Sequence, residues 1–158
     1  MGVAVSDDDL DFRAATDQLA LRALADRYAA GVDRRDRDLF LSAFHADGVL
    51  VLLDHADPTQ VFATRRGHDE LGAVTELIAR YDKTFHMIGN ARYEVDGDRA
   101  TGEVYCVAHH LTTDRHGGTD YVMMIRYLDT YTRRDGRWGI EERRLVTDWT
   151  ELRTANRV

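Results

Sequence analysis

Three turn dipeptides divide the second half of this 158-residue chain. They are Asp96-Gly97, Gly117-Gly118 and Asp135-Gly136, and such pairs favour two-residue hairpin turns because their central residues must adopt positive φ angles. The segments between the turns are rich in residues that favour strands. The pattern predicts four long antiparallel strands in meander order, at about residues 84–95, 99–113, 120–133 and 137–149.

The first half of the chain shows helical spacing instead. Apolar residues between Leu21 and Val32 recur at intervals that place them on one helix face, and Thr16 offers a hydroxyl that can cap the start of this helix. The remaining predicted elements are a short helix at about 37–44, strands at 49–53 and 61–64 that pair with each other, and a helix that begins at Gly67.

Three helices followed by an antiparallel meander indicate an α+β fold. Because long strands twist, we expect a curved antiparallel sheet wrapped around a long N-terminal helix and two shorter helices. Such a cone-shaped α+β barrel has a blind interior that suits a small molecule. We predict an acidic flexible arm at residues 1–15, a single α+β barrel domain at 16–150 and a C-terminal tail at 151–158.

The composition argues against several classes of partner. The chain has 28 acidic and 21 basic residues and a net charge of −7, so we expect neither nucleic acid nor an anionic membrane surface as partner. No apolar run approaches the roughly 20 residues that span a bilayer. Cys106 is the single cysteine, which excludes an internal disulfide and favours a cytoplasmic location.

An aspartate and a histidine are the first candidates for chemistry. Asp33 ends the amphipathic first helix, and His86 lies in an apolar strand segment about fifty positions later. A carboxylate that orients an imidazole makes a general base that works near neutral pH. Each residue also has a purely structural interpretation: Asp33 as a helix cap or ion-pair partner, and His86 as a hydrogen-bonded core residue.

Strand alternation identifies further pocket candidates. Val104, Cys106 and Ala108 form a small apolar face in the second long strand, and we assign this face to the helix-covered side. His110 shares their parity and joins the candidates. Parity alone does not decide whether the face that carries His86 points inward.

The last strand offers an arginine. Trp138 and Ile140 are its inward pair, and alternation then places Glu142 and Arg144 on the same face unless a β-bulge intervenes. We therefore predict that Arg144 points into the pocket.

Five short sequence features occur together in an order that resembles a known family. The chain resembles the SnoaL-like branch of the nuclear transport factor 2-like superfamily, which includes scytalone dehydratase, bile acid 7α-dehydratase, a lindane dehydrochlorinase and polyketide cyclases. The features are Tyr28-x4-Asp33, Phe44-x2-Asp47-Gly48, Gly67 before the third helix, Phe85-His86 and Asp135-Gly136-Arg137-Trp138.

The resemblance implies roles for several residues. Asp33 and His86 match the family's dyad, in which the histidine takes a substrate proton and the aspartate holds its other nitrogen. Tyr28 matches a pocket tyrosine that binds or polarises an oxygen, and His110 matches a second histidine. The family's arginine position on the last strand is Glu142 here, so that Arg144 is supported by parity alone. The expected substrate-contacting residues are Arg144, Val104, Cys106, Ala108 and Phe44.

These features favour a cofactor-independent lyase or isomerase, of dehydratase type, that acts on a small or medium apolar cyclic compound. We expect no metal, because His109-His110 lacks the spacing of a zinc pair. The alternatives are a non-catalytic ligand-binding or assembly module of the same fold, and the small subunit of a ring-hydroxylating oxygenase. The apolar outer face at Tyr105 and Val107 predicts a homo-oligomer, with a trimer favoured over a dimer by the resemblance.

Overall fold

The computed structural model describes the backbone of residues 7–156 and the side chains of residues 12–156. Within these residues the chain forms three helices and six strands. The elements are α1 (Asp7–Arg34), α2 (Arg37–Leu41), β1 (Phe44–Leu53), β2 (Val61–Arg66), α3 (Gly67–Ile78), β3 (Lys83–Asp96), β4 (Arg99–Asp114), β5 (Gly117–Arg134) and β6 (Arg137–Ala155).

The strands form one curved, unclosed sheet in the order β2-β1-β6-β5-β4-β3. Neighbouring strands are antiparallel except β1 and β6, which are parallel. The predicted α+β cone, the four-stranded meander and the pairing of β1 with β2 are confirmed. Asp135 and Gly136 both adopt positive φ angles, 51° and 75°, as the hairpin turn between β5 and β6 requires.

The first helix is longer than the sequence pattern indicates. It begins at Asp7 and runs for 28 residues, so that residues 7–15, predicted as a flexible arm, are helical; residues 1–6 lie outside the described residues. Thr16 is an interior helix residue whose hydroxyl donates to the Phe12 carbonyl at 2.8 Å, not the predicted cap. The next residue, Asp17, is buried and accepts hydrogen bonds from Arg133 and Trp138, which fix this part of α1 against β5 and β6. No helix in the described part of the chain has the length and apolarity to cross a bilayer.

The last strand also extends past its predicted end. β6 continues to Ala155, which pairs with Gly118 of β5, so that residues 151–155 belong to the sheet and not to a separate tail. Residues 157–158 lie outside the described residues. The extension follows from the length of β5, whose first residues have backbone groups that need a partner.

The core lies between α1 and the concave face of the sheet. Leu21, Leu24, Ala25 and Tyr28 of α1 are buried, as their helical spacing predicts. They belong to the same apolar cluster as Val104, Cys106, Ala108, Ile125, Tyr127 and Ile140 of the sheet. The inward assignment of the β4 face is therefore confirmed.

Side chains of α1 cover the free edge of β3. Arg22 donates to the carbonyls of Ile88 and Gly89 at 3.1 and 3.0 Å, and Gln18 donates to the Tyr93 carbonyl at 3.3 Å. Asp33 accepts a hydrogen bond from the backbone N–H of His86 at 2.8 Å. An uncovered edge strand is a template for unwanted pairing. These bonds occupy polar groups of the β3 edge and hold α1 against it.

The C-terminal end of α1 is also fixed by α2, which crosses it at Gly31. A side chain at Gly31 would overlap the backbone nitrogen and Cα of Phe40. Only glycine permits this approach, which places the last turn of α1, including Asp33, close to the rest of the fold.

We predict that Gly31→Ala lowers the free energy of unfolding by about 1–3 kcal/mol, because the new methyl group meets rigid backbone. The matched control is Gly72→Ala in α3, where the new methyl group would meet only the flexible end of the Arg37 side chain. The control should stay within about 1 kcal/mol of the parent, since alanine favours helix over glycine. Urea unfolding of the three proteins measures both effects; equal stability of Gly31→Ala and the parent would contradict the packing described here.

Candidate active site

Asp33 and His86 form a dyad. Oδ1 of Asp33 lies 2.7 Å from Nδ1 of His86, and Oδ2 accepts the backbone N–H of the same residue at 2.8 Å. Burial raises the pKa of the Asp33 carboxyl, but hydrogen bonds from His86 and Thr84 outweigh this effect and hold the pKa below its usual value. An ionised carboxylate only accepts hydrogen bonds, so Nδ1 of His86 carries a proton, and in the neutral form of the ring Nε2 presents the lone pair.

His110 on β4 lies beside His86, with 5.6 Å between the ring centroids. Burial lowers the pKa of His110, and the neighbouring His86 lowers it further, to about 4. Nδ1 lies 3.1 Å from the Tyr121 carbonyl, which can only accept, so the neutral ring donates from Nδ1 and keeps a lone pair at Nε2. The structure therefore makes His110 a hydrogen-bond acceptor near neutral pH.

Tyr28 is a buried core residue as well as a site candidate. Its ring packs against Phe40, Phe44 and Tyr127, with centroid distances of 5.1, 6.1 and 5.3 Å. Burial raises the pKa of its hydroxyl to about 12, so that Tyr28 keeps its proton and can donate it in a hydrogen bond.

The predicted inward position of Arg144 is wrong. Thr130 pairs with Glu142 but the next residue, Tyr131, pairs with Ile140, so that Glu141 is the extra residue of a β-bulge. A bulge shifts the alternation of the following residues by one. Arg144 consequently lies on the outer face, where its side chain is 41% exposed and pairs with Glu142 at 3.3 Å.

Arg143 takes the inward position instead. Its guanidinium is fully buried and pairs with Asp129 through two hydrogen bonds of 2.9 and 2.6 Å. It also lies over the rings of Tyr28 and Tyr127, 4.4 and 4.1 Å from their centroids. Nη1 of Arg143 and the hydroxyl of Tyr127 are buried without a hydrogen-bond partner in the described structure.

A sequence signal for Arg143 exists but is indirect. Asp129 alternates with Tyr127 and Tyr131 on β5, and the structure buries all three. A buried carboxylate is stabilised by a paired cation or by hydrogen-bond donors. An aspartate on an inward strand face therefore favours a cationic neighbour, but the pattern does not indicate which strand supplies it.

A groove of about 400 Å³ borders the dyad between α1 and β3. Its lining includes Arg22, Ala29, Ala30, Asp33, Thr84 and His86. The other predicted substrate-contacting residues, Val104, Cys106, Ala108 and Phe44, are packed in the core and do not line this groove. Among the described residues, no group of three or more His, Cys, Asp or Glu side chains is close enough to hold a metal ion.

The family assignment follows from the sequence and agrees with this geometry. The profile of the SnoaL-like domain matches residues 13–144. The chain belongs to the SnoaL-like family. No curated protein sequence matches the chain, so solved structures provide the remaining comparisons of this SnoaL-like protein.

Three solved structures show how widely the fold is shared. Rv3472 of Mycobacterium tuberculosis, a protein of unknown function, is 27% identical over 92% of this chain and 78% of its own, with a TM-score of 0.73. The hexachlorocyclohexane dehydrochlorinase LinA-type3 of Novosphingobium barchaimii is 18% identical over 90% and 94%, with a TM-score of 0.76. A provisionally assigned scytalone dehydratase of Novosphingobium aromaticivorans is 21% identical over 91% and 94%, with a TM-score of 0.73. Identities this low establish the fold and leave the chemistry to the site.

We predict that His110 lowers the free energy of unfolding at acidic pH. Its pKa is about 4 in the folded state and 6.5 in the unfolded chain, so the unfolded state binds more protons as the pH falls from 6.5 to 4. The resulting loss in the free energy of unfolding is about 3 kcal/mol over this interval. His110→Asn, which keeps a donor for the Tyr121 carbonyl, should remove most of this loss.

Urea unfolding at several pH values between 4 and 7 measures the effect. His116→Asn is the matched control, because His116 is exposed and should leave the pH dependence unchanged. Equal acid sensitivity of His110→Asn and the parent protein would show that His110 is not held neutral by burial.

Proposed function

We propose that this SnoaL-like protein is a cofactor-independent lyase or isomerase in which His86, oriented by Asp33, is the general base. Its substrate is a small or medium apolar cyclic compound with an acidic C–H bond. The observation that supports this proposal most is the two-point hold of Asp33 on His86, which fixes both the ring orientation and the tautomer. A base that is held in this way needs no reorientation before proton transfer.

The proposed reaction starts at Nε2 of His86. This nitrogen takes a proton from a carbon next to an electron-withdrawing group, and the Asp33 carboxylate stabilises the imidazolium that forms. The electron pair left on carbon then expels a leaving group in an elimination, or is held as an enolate in an isomerisation or cyclisation. In an isomerisation, the imidazolium returns the proton to another carbon. All these reactions share the first step.

Neighbouring side chains have roles that match this chemistry. Ala108 lies directly opposite His86 across the β3–β4 ladder, and Cys106 lies opposite Ile88, so the base adjoins the apolar core face of β4, although these core residues do not line the groove. Nη1 of Arg143 is a donor without a partner and would bind an oxygen or halide that gains negative charge. Tyr28 would donate to the same group, and His110 would accept from a substrate hydroxyl.

The groove between α1 and β3 is the proposed entrance. Its volume of about 400 Å³ falls within the range of small-molecule sites, roughly 300–1,000 Å³. Ala29 and Ala30 line the helix side of the groove. Their side chains are small, so that a ring compound could approach the dyad there. Phe44 lies deeper and would contact only the part of a ligand that reaches the core.

We predict that the protein catalyses hydrogen–deuterium exchange of acidic C–H bonds, since exchange requires only the first step. A panel of cyclic ketones in D₂O, followed by NMR, tests this without knowledge of the natural substrate. For a ketone that exchanges, His86→Ala should lower the rate by roughly 10²–10⁴-fold, and Asp33→Asn should also lower it because an amide can stabilise the wrong tautomer.

The matched control is His116→Ala, which removes an exposed histidine and should exchange the ketone at the parent rate. Retention of the parent rate in His86→Ala would contradict the proposal. So would a ketone that binds the protein and does not exchange.

A ligand-binding or assembly module is the second candidate function. The observation in its favour is the packing of Tyr28, Phe40, Phe44 and Tyr127 with Arg143 in the interior, where the sequence predicts an open pocket. In this case His86→Ala would change ligand affinity or oligomer mass, and no ketone would exchange in either protein.

We also propose that the convex face of the sheet joins copies of the chain into a homo-oligomer, with a trimer favoured over a dimer. Met87, Val107, Met124 and Trp149 lie opposite one another in register across β3 to β6 and form one outward apolar row. Met87 and Trp149 are 52% and 57% exposed. The nearby charge of Arg126 is paired with Asp148, which lowers the cost of burying this part of the face.

We predict a multiple of the monomer mass in size-exclusion chromatography with light scattering. Trp149→Glu should shift the protein toward monomer, because burial of a carboxylate without a partner is unfavourable. Leu19→Glu is the matched control, since Leu19 is a 73% exposed residue of α1 away from this face. A monomeric parent, or a Trp149→Glu variant of unchanged mass, would contradict the proposal.

A further inference from the structure

Arg35 occupies a backbone position that normally suits glycine. It follows α1 directly, has a φ angle of 55°, and its N–H donates to the Val32 carbonyl while the N–H of Asp36 donates to the Gly31 carbonyl. This is the Schellman arrangement, whose left-handed residue is usually glycine because a β-carbon is unfavourable there. A strained backbone position persists when contacts of the same residue compensate for the strain, so the contacts of the Arg35 side chain matter here.

The guanidinium of Arg35 joins three segments of the site. Nη1 donates to the Asp33 carbonyl at 2.8 Å and to the Thr84 hydroxyl at 2.9 Å, and Nη2 donates to the Tyr81 carbonyl at 3.0 Å. These acceptors belong to the end of α1, the start of β3 and the loop between α3 and β3. The planar fork of arginine can bind all three at once, whereas the single nitrogen of lysine cannot match this geometry.

Each of these contacts leads to one of the two histidines. Thr84 accepts from Arg35, and its own hydroxyl hydrogen is one of the groups that stabilise the charged Asp33 carboxylate. A hydroxyl that accepts from a cation becomes a stronger donor. Tyr81, held through its carbonyl, packs its ring against the ring of His110 in a tilted arrangement, with 4.8 Å between the centroids.

We propose that Arg35 is a positioning residue that holds Asp33 against His86 and, through Tyr81, fixes the place of His110. This inference rests on the proposed function, in which His86 is the base. Arg35 does not reach the reacting atoms itself, because its guanidinium is taken up by Asp33, Thr84 and Tyr81. Its effect is to keep the Nδ1–H of His86 on the carboxylate and therefore Nε2 free for the substrate.

The test is NMR of the full chain with ¹⁵N-labelled histidine rings, which reports which nitrogen of His86 carries the proton and how fast that proton exchanges with water. In Arg35→Gln we expect the Nδ1 proton of His86 to exchange at least about tenfold faster than in the parent, the factor that corresponds to one lost hydrogen bond. Arg35→Gly should show the same change. Because glycine relieves the backbone strain, this variant serves as the test if the glutamine variant folds poorly.

Arg137→Gln is the matched control, because it removes one positive charge from an exposed arginine after the β5–β6 turn that does not line the groove beside the dyad, and it should leave the His86 spectrum unchanged. A parent-like exchange rate in both Arg35 variants would overturn the inference, even if their melting temperatures were lower, because that pattern is a structural effect alone. A parent protein in which Nδ1 of His86 carries no proton would overturn the proposed function itself. The two failures are therefore distinguishable.

Discussion

The carboxylate of Asp33 joins the end of α1 to the free edge of the sheet, and the candidate site depends on this joint. One oxygen binds the backbone N–H of His86 where a further strand would otherwise pair, and the other binds the ring of the same residue. Arg22 covers edge carbonyls farther along β3 in the same way. The dyad is thus one of several contacts by which a helix takes the place of a missing strand, and the packing of α1 decides the orientation of the base.

Most of the fold could be predicted from the sequence because its signals are local. Turn dipeptides fix hairpins through backbone conformation, and strand residues alternate with a period of two. The errors occur where distant contacts override a local signal. Thr16 has the residue type of a helix start, but α1 begins at Asp7 and continues through it, and the next residue, Asp17, is paired with the distant Arg133. β6 runs to Ala155 because its last residues pair with the first residues of β5, with Ala155 opposite Gly118.

The site residues also divide into those that local sequence signals predict and those that depend on distant contacts. Asp33 and His86 can be named from the sequence through the resemblance described above, and the structure brings them into contact. Unbroken alternation through Glu141 predicts an inward Arg144, but a single bulged residue exchanges the two faces and places Arg143 inward instead. Arg35 left no sequence signal, since the left-handed conformation that places its side chain arises only when α1 ends against α2 and β3.

Catalysis by His86 requires that Asp33 hold the ring in one tautomer, with Nε2 as the free base. Neutron diffraction from a crystal exchanged into D₂O near neutral pH locates the deuteron on the imidazole. We expect a deuteron on Nδ1 of His86, directed at Oδ1 of Asp33, and none on Nε2. A deuteron on Nε2 with a bare Nδ1, or a separation of the two groups beyond hydrogen-bond distance, would contradict it.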